Sequence, residues 1–246
     1  MMSSTPVSAR PVNRRAMLEV FSLRTLTDAH KRRSRFGSAD LVDAEIACGR
    51  TRGKNRDLGR VRRMIGQRAL LVVDVQRGFE DPALGPRDNP HAEENVAKLI
   101  AAWRRCGDPI VVVQHDWRGG PLERGTPGFE LKEAVAGEPN LRIVKTVHSS
   151  FHGDVDLDAW LRERGIGAIA VCGIQTNFCC ETTARLGSDL GYDVWFVLDA
   201  THTFDIAAPD GEVVPAAEIA RMTGINLQDE FAEVVTTAAA ACTLLD

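Results

Sequence analysis

The sequence lacks the features that mark a membrane or secreted protein. No apolar run approaches the roughly 20 residues that a membrane-spanning helix needs. The six cysteines occur singly or as one adjacent pair, without Cys-x-x-Cys spacing and without a secretory signal before them. Such cysteines are typical of reduced thiols. We therefore expect a cytoplasmic protein that does not contact a membrane.

A glycine-rich turn for a dinucleotide is also missing. The segment that follows the first apolar run reads VDVQRGFEDP (residues 73–82) and contains no Gly-x-Gly-x-x-Gly. Dinucleotide-binding domains need those glycines for close approach to the pyrophosphate. The sequence therefore predicts no dinucleotide cofactor.

Charge divides the chain into two parts. Residues 1–63 carry a net charge of +9, whereas residues 64–246 carry −13. The basic part lacks sustained periodicity, so we expect a mostly disordered arm with a short helix at residues 16–26. It is open whether the arm is a targeting peptide, a tail for nucleic acid or an acidic partner, or an artefact of start-site choice before Met64. The acidic body would repel phosphate, so we do not expect it to bind nucleic acid.

Residues 64–246 alternate strand and helix patterns and predict one folded domain. Continuous apolar runs such as ALLVVDV are typical of strands buried on both faces of a parallel sheet. Repeated βα units predict an α/β three-layer sandwich with a mainly parallel six-stranded sheet, Rossmann-like in architecture. The predicted strands are residues 69–75, 109–114, 141–145, 166–172, 193–198 and 233–237. The first predicted helix follows Asn89 and Pro90 and ends near Gly107. The others are predicted over residues 157–164, 215–231 and 238–245, with one more after the fourth strand.

The segment VCGIQTNFCCETTAR (residues 171–185) has the pattern of a strand, a tight turn at Gly173 and a helix. The pattern predicts a cysteine in the first turn of that helix. A helix N-terminus has a positive dipole end and unpaired N–H groups, so we expect it to lower a thiol pKa and to stabilise an oxyanion. The alternative is that Cys179 and Cys180 are small core residues.

Three chemically apt residues lie at or beyond the carboxyl ends of predicted strands. Asp74 lies near the end of the first strand, Lys145 ends the third, and Cys179 follows the fourth. The carboxyl ends of parallel strands meet at one edge of a sheet, where such folds bind ligands. Each residue alone has a structural explanation, as a turn cap, a solvated strand end or a core residue. A carboxylate inside LLVVDVQ is nevertheless costly to bury without a partner.

These residues lie in motifs that resemble a known family. The ordered set DVQRGF (residues 74–79), KTVHSSF (145–151) and GIQTNFCCETTAR (173–185) is similar to the isochorismatase-like cysteine hydrolases. The resemblance covers about residues 66–246. It implies a catalytic triad of Asp74, Lys145 and Cys179, and it favours Cys179 over Cys180 as the nucleophile.

The resemblance also implies an oxyanion hole formed by the backbone N–H groups of Gln175 and Cys179, with a cis bond between Ile174 and Gln175. In the chemistry that these residues allow, Asp74 accepts the thiol proton and Lys145 stabilises the developing charge. The thiolate attacks an amide-type carbonyl, an amine leaves, and water hydrolyses the thioester with Asp74 again as base. The alternatives are a vinyl ether hydrolase of the isochorismatase type and a non-catalytic binding module on the same fold.

Two sequence differences from relatives restrict the predicted metal content and the predicted substrate bond. Nicotinamidases of this family carry an Asp-x-His metal pattern, whereas here Trp117 and Arg118 follow Asp116. His115, His148 and His152 can still cluster near the site, but their spacing forms no zinc motif, so we expect neither metal nor cofactor. In true isochorismatases the cysteine position is replaced. A cysteine here favours an amide, carbamoyl or lactam bond in a small-molecule substrate.

Side chains near the strand ends are the candidates for the substrate pocket. Phe79 and Phe151 match positions that line the site in relatives, Gln76 can hydrogen-bond, and Trp117 is a candidate wall. Ordinary core packing is the alternative for each aromatic residue. Thr176 in the nucleophile motif completes the predicted set. Relatives form dimers or tetramers, so the resemblance implies a homo-oligomer.

Overall fold

The computed structural model describes residues 66–243. The predicted basic arm, its helix at residues 16–26 and the start-site alternative all lie outside these residues. No helix between residues 66 and 243 has both the length and the apolar character to cross a membrane.

The strands of the described residues are β1 (Arg68–Val73), β2 (Ile110–His115), β3 (Leu141–Lys145), β4 (Ala168–Ile174), β5 (Asp193–His202), β6 (Ile206–Ala207), β7 (Val213–Val214) and β8 (Glu233–Val235). Six of them form one sheet in the order β3-β2-β1-β4-β5-β8, and every neighbouring pair in it is parallel. This arrangement confirms the predicted sheet. A separate two-stranded antiparallel ribbon, β6 with β7, lies between β5 and β8 in the sequence and was not predicted.

Helices cover both faces of the sheet, which gives the predicted three layers. Successive β1 side chains alternate between the two cores: Leu71 belongs to one and Leu70 to the other, and both are fully buried. The first core contains residues of α2 (Leu157–Glu163), α3 (Glu181–Asp189) and α4 (Ala216–Leu227). The second contains residues of α1 (Ala92–Cys106) and α5 (Thr237–Thr243).

Between residues 66 and 243, the connections contain five short 3-10 helices, at Arg77–Glu80, Pro82–Leu84, Pro127–Phe129, Glu133–Val135 and Ser150–His152. Helix α1 ends at Cys106, next to Gly107 as the sequence predicts. That glycine adopts a left-handed conformation with φ 72°, and its N–H donates to the carbonyls of Arg104 and Trp103.

Strand β4 extends two residues beyond the prediction, which placed a turn at Gly173. Gly173 instead lies inside the sheet, paired with Val73 of β1 and Thr201 of β5, where the register of β4 against β5 shifts. It has φ 124°, and a Cβ there would lie 2.0 Å from the Val73 carbonyl oxygen. Only glycine fits this close approach. Strand β5 is also four residues longer than predicted, and helix α4 ends earlier, at Leu227.

The strand order reverses between β1 and β4, because β2 and β3 lie on one side of β1 while β5 and β8 lie beyond β4. Such a reversal opens a crevice at the carboxyl edge of a parallel sheet, where ligands bind. Asp74 follows β1 at this point, and the cysteine segment follows β4.

Candidate active site

Asp74 lies directly after β1 and adopts φ 53°. Its backbone N–H donates to the Val113 carbonyl of β2, which fixes the start of the turn. The side chain is completely buried, and its Oδ2 accepts a 2.6 Å hydrogen bond from Lys145 Nζ. Among the described residues, its Oδ1 has no hydrogen-bond partner. One oxygen of this carboxylate therefore remains an open acceptor.

Lys145 is the last residue of β3, and its ammonium stands at the centre of the site. Nζ lies 2.6 Å from Asp74 Oδ2, 3.2 Å from His115 Nδ1 and 3.3 Å from Cys179 Sγ. Burial by itself would lower the pKa of Lys145, but the Asp74 carboxylate and the contact with Cys179 Sγ outweigh it and raise that pKa. Lys145 is therefore a buried, charged ammonium at neutral pH.

The sequence pattern predicted Cys179 in the first turn of an α-helix, but Cys179 does not lie there. A single π-helical turn, Thr176–Cys180, separates β4 from α3 and holds Cys179 near its end. Such turns are frequent at functional sites. The next residue, Cys180, is fully buried in the core, as its packing alternative implied. The chain thus directs one cysteine of the pair to the Lys145 ammonium.

The expectation of a lowered thiol pKa is wrong for this site. Burial raises the pKa of Cys179, and the Asp74 carboxylate raises it further, while Lys145 opposes both. Only 4% of the Cys179 surface is exposed, so desolvation of a thiolate dominates. Cys179 therefore rests as a neutral thiol and needs a base when it reacts.

Two histidines flank the sulfur. His115 Nδ1 lies 3.6 Å and His148 Nδ1 3.5 Å from Cys179 Sγ, and the two rings meet edge to face at 6.2 Å between centroids. His115 ends β2, and His148 follows Lys145 by three residues. The third histidine considered from sequence, His152, lies in the 3-10 helix Ser150–His152 with an exposed side chain.

The donor atoms of Asp74, His115 and Cys179 lie within 4.8 Å of one another, which is close enough to ligate one ion. The Lys145 ammonium lies within 3.3 Å of an atom of each residue. A divalent cation placed among them would have to displace this ammonium. The set therefore fits a lysine-centred site better than a metal site.

The peptide bond between Ile174 and Gln175 is cis, which confirms the expectation from the resemblance. The Gln175 carbonyl accepts hydrogen bonds from the N–H groups of Phe178 and Cys180, at 3.3 and 3.2 Å. Thr176 is fully buried, and its hydroxyl donates to Thr201 Oγ1 at 2.9 Å. These bonds fix the backbone path that carries Cys179.

The Gln76 side chain joins three segments around the site. Its amide nitrogen donates to the carbonyls of His115 and Phe129, and its Oε1 accepts from the His115 N–H at 2.7 Å. Both amide hydrogens are therefore engaged within the protein. Gln76 holds the end of β2, and with it His115, against the end of β1.

The predicted pocket aromatics differ in their surroundings. Phe79 is buried and stacks on Phe204 at 6.2 Å, while Phe151 is buried in the core and stacks on Tyr192 at 5.7 Å. Trp117 is 46% exposed on the loop after β2. Sequence reasoning missed Phe178, which is 40% exposed and stacks on His148 at 5.7 Å. Its only signal was an aromatic residue next to the cysteine.

With the site in view, comparison with known proteins identifies the family. A family model described as the isochorismatase domain matches residues 68–239. The chain belongs to the isochorismatase family. It is therefore a hydrolase of an enzyme family that acts on small-molecule substrates.

Individual isochorismatase-family relatives agree. Streptothricin hydrolase of Streptomyces noursei is 37% identical over 175 residues, which cover 70% of this chain and 63% of that protein. Nicotinamidase 3 of Arabidopsis thaliana is 32% identical over 153 residues, covering 56% and 74%. The crystal structure of a cysteine hydrolase from Pseudomonas syringae is 31% identical with a TM-score of 0.67, covering 73% of this chain and 92% of that one.

Proposed function

We propose that this isochorismatase-family hydrolase cleaves a small amide, carbamoyl or lactam C–N bond through a thioester on Cys179. The observation that carries the proposal is the position of Lys145 Nζ, 2.6 Å from Asp74 Oδ2 and 3.3 Å from Cys179 Sγ. This arrangement joins a buried base, a fixed cation and a nucleophile. The similarity to a nicotinamidase and to a cysteine hydrolase adds support.

Formation of the thioester requires the thiol of Cys179 to lose its proton. Asp74 has an open Oδ1 and takes this proton as Sγ attacks the acyl carbon. Lys145 stabilises the negative charge while it lies on sulfur. The raised pKa of Cys179 means that this transfer accompanies attack and does not precede it.

The attack makes a tetrahedral oxyanion. The backbone N–H groups of Gln175 and Cys179 are the proposed donors, in the manner of an oxyanion hole. The C–N bond then breaks, and the amine or ammonia takes the proton from Asp74. Water hydrolyses the thioester and releases the acid.

Gln76 and Thr176 act in this proposal as positioning residues, because their hydrogen bonds hold the backbone on either side of the thiol. The exposed ring of Trp117 lies on the loop after β2, and that of Phe178 lies in the π-helical turn after β4. These two rings are the proposed contacts for the substrate. Phe79 and Phe151 support that edge from within the core.

The test is a panel of amides, N-carbamoyl compounds and lactams, assayed for amine release with hydroxylamine present. Hydroxylamine converts an acyl thioester to a hydroxamate, whereas vinyl ether hydrolysis forms no acyl group. We expect a hydroxamate from the wild type, none from Cys179→Ala, and continued turnover by Cys180→Ala. Undiminished turnover by a folded Cys179→Ala variant would refute the mechanism.

By resemblance to relatives that form dimers or tetramers, we also propose a homo-oligomer that acts in the cytoplasm. Light scattering on the purified full chain measures the oligomeric state, and a monomer at micromolar concentration would contradict the proposed oligomer. Fractionation of cells that express the chain natively tests the proposed location.

A further inference from the structure

The Cys179 sulfur lies between two proton acceptors in different surroundings. The Asp74 carboxylate is fully buried behind it, and His148 Nδ1 lies 3.5 Å from Sγ on an exposed side chain. We propose that His148 is the general base of the second half-reaction, in which it takes a proton from the water that hydrolyses the thioester. This inference rests on the proposed function and assigns its last step to a residue other than Asp74.

The hydrogen bonds of the Lys145 ammonium distinguish His115 from His148. The Lys145 ammonium has three hydrogens and three acceptors within reach: Asp74 Oδ2, His115 Nδ1 and Cys179 Sγ. The lone pair of His115 Nδ1 is therefore occupied by Lys145. His148 Nδ1 has no such bond to the ammonium and faces the sulfur. Of the two imidazoles, His148 is the one whose Nδ1 faces the sulfur without accepting a hydrogen bond from Lys145.

His148 and Asp74 differ in their access to solvent water. The water of the second step comes from solvent, and the carboxylate of Asp74 has no exposed surface. His148 is exposed, and its ring is held by stacking on Phe178, with centroids 5.7 Å apart and planes at 22°. Solvent water can therefore reach His148, whereas it does not reach the Asp74 carboxylate.

The charges around His148 keep it in the basic form. The groups that face it are His115, Lys145, Asp74 and the Cys179 thiol. Partial burial lowers the pKa of His148, electrostatic interaction with the neighbouring His115 and the Lys145 ammonium lowers it further, and Asp74 opposes them. The imidazole is therefore neutral at pH 7 and able to accept a proton.

In this hydrolysis, one proton moves from water to Cys179 Sγ by way of His148. The water oxygen bonds to the thioester carbon, and its proton passes to His148 Nδ1. The tetrahedral intermediate then collapses, the C–S bond breaks, and Sγ leaves with the bonding electrons. The imidazolium returns its proton to Sγ. The products are a carboxylic acid, the Cys179 thiol and neutral His148.

The experiment uses p-nitrophenyl acetate as an acyl donor, so it does not depend on the natural substrate. Stopped-flow absorbance gives a burst of p-nitrophenolate for acylation and a steady rate for deacylation. Intact mass detects the acetyl group on the protein. The variants are His148→Gln and His148→Ala, with His152→Gln as the matched control, because His152 is an exposed histidine on the same segment.

We expect His148→Gln to keep a burst of one equivalent and to slow the steady rate by about 10²-fold, the lower range for general base catalysis. The acetylated protein then accumulates, and added imidazole restores part of the rate in His148→Ala. In the wild type the deacylation rate falls as pH drops through the pKa of His148, below 6.5, and this dependence is lost in the variants. His152→Gln behaves as wild type.

A His148→Gln variant that deacylates at the wild-type rate overturns the inference and leaves the proposed function intact. Equal loss of burst and steady rate, without imidazole rescue, also overturns it, because His148 would then serve acylation or structure. Absence of any Cys179-dependent acetyl adduct on the wild type contradicts the proposed function itself.

Discussion

The Lys145 ammonium lies 2.6 Å from the Asp74 carboxylate, and neither side chain has any exposed surface. An ion pair in such a place is held by mutual attraction against a large desolvation cost. Removal of one partner leaves the other charge buried alone. The contact on which the proposed mechanism depends therefore also contributes to the stability of the fold.

A double-mutant cycle measures this coupling. We expect Lys145→Met or Asp74→Asn alone to lower the free energy of unfolding by about 3–5 kcal/mol, because an unpaired charge or polar group remains buried. The double variant loses much less than the sum of the two. Urea unfolding at pH 7 provides the measurement. As a control, Arg142→Met on the same strand removes the exposed ion pair with Glu138 and has a much smaller effect. Strictly additive losses would contradict the coupling.

The neutral resting thiol has its own signature. Burial and Asp74 raise the pKa of Cys179, so its thiolate fraction at pH 7 is small. We expect iodoacetamide to label Cys179 slowly at pH 7, after the exposed Cys242, and the rate to keep rising above pH 9. Peptide mapping after timed labelling follows each cysteine separately. Fast labelling of Cys179 with a plateau below pH 8 would show instead that Lys145 lowers its pKa.

The sheet could be predicted because its strands are continuous apolar runs, a signal that is local in sequence. Strand β3 begins and ends at the predicted residues, and the order of βα units fixed the parallel sheet. The three strand-end residues came together for the same reason, since parallel strands place their carboxyl ends at one edge. The resemblance then separated Cys179 from Cys180, which the local pattern left open.

Other features depend on tertiary contacts and had no local signal. Gly173 looked like a turn because its place in the sheet follows from Val73 on a distant strand. The π-helical turn has no sequence pattern of its own, and the raised pKa of Cys179 results from packing around it. The approach of His148 to the sulfur depends on the path of the loop after β3. Strands β6 and β7 have two residues each, too few for periodicity.

Gly173 offers a test of how closely β4 and β1 approach. A methyl group there would lie 2.0 Å from the Val73 carbonyl oxygen, and φ 124° is unfavourable for alanine. We expect Gly173→Ala to lower the free energy of unfolding by more than about 3 kcal/mol and to abolish turnover. Gly167→Ala, in open space just before the same strand, is the matched control and has little effect. Equal stability of the two variants in thermal unfolding would show that the sheet relaxes at Gly173.

A second group of charges surrounds Glu93 of α1 and makes the stability of the fold depend on pH. Glu93 accepts two 2.7 Å hydrogen bonds from Arg87 and one of 2.8 Å from Lys132, and His202 Nε2 lies 3.5 Å away. Burial by itself would raise the pKa of Glu93, but the hydrogen bonds from Arg87, the nearby His202 ring and the hydrogen bond from Lys132 outweigh burial and lower that pKa. A carboxylate with a depressed pKa stabilises the fold above its unfolded pKa, and this contribution is lost as pH falls.

We therefore expect Glu93→Gln to cost about 3 kcal/mol at pH 7, since it leaves Arg87 and Lys132 without their shared anion. The difference from wild type shrinks as pH falls below 4.5, the ordinary value for a glutamate, because the unfolded chain then binds a proton at Glu93 while the folded chain keeps the carboxylate ionised. Urea unfolding between pH 7 and pH 3 follows this change. The adjacent Glu94→Gln, which removes only exposed pairs with Lys98 and His91, serves as the control and shows little effect. A Glu93→Gln deficit that stays constant with pH would mean that the side chain acts through packing, and not through its charge.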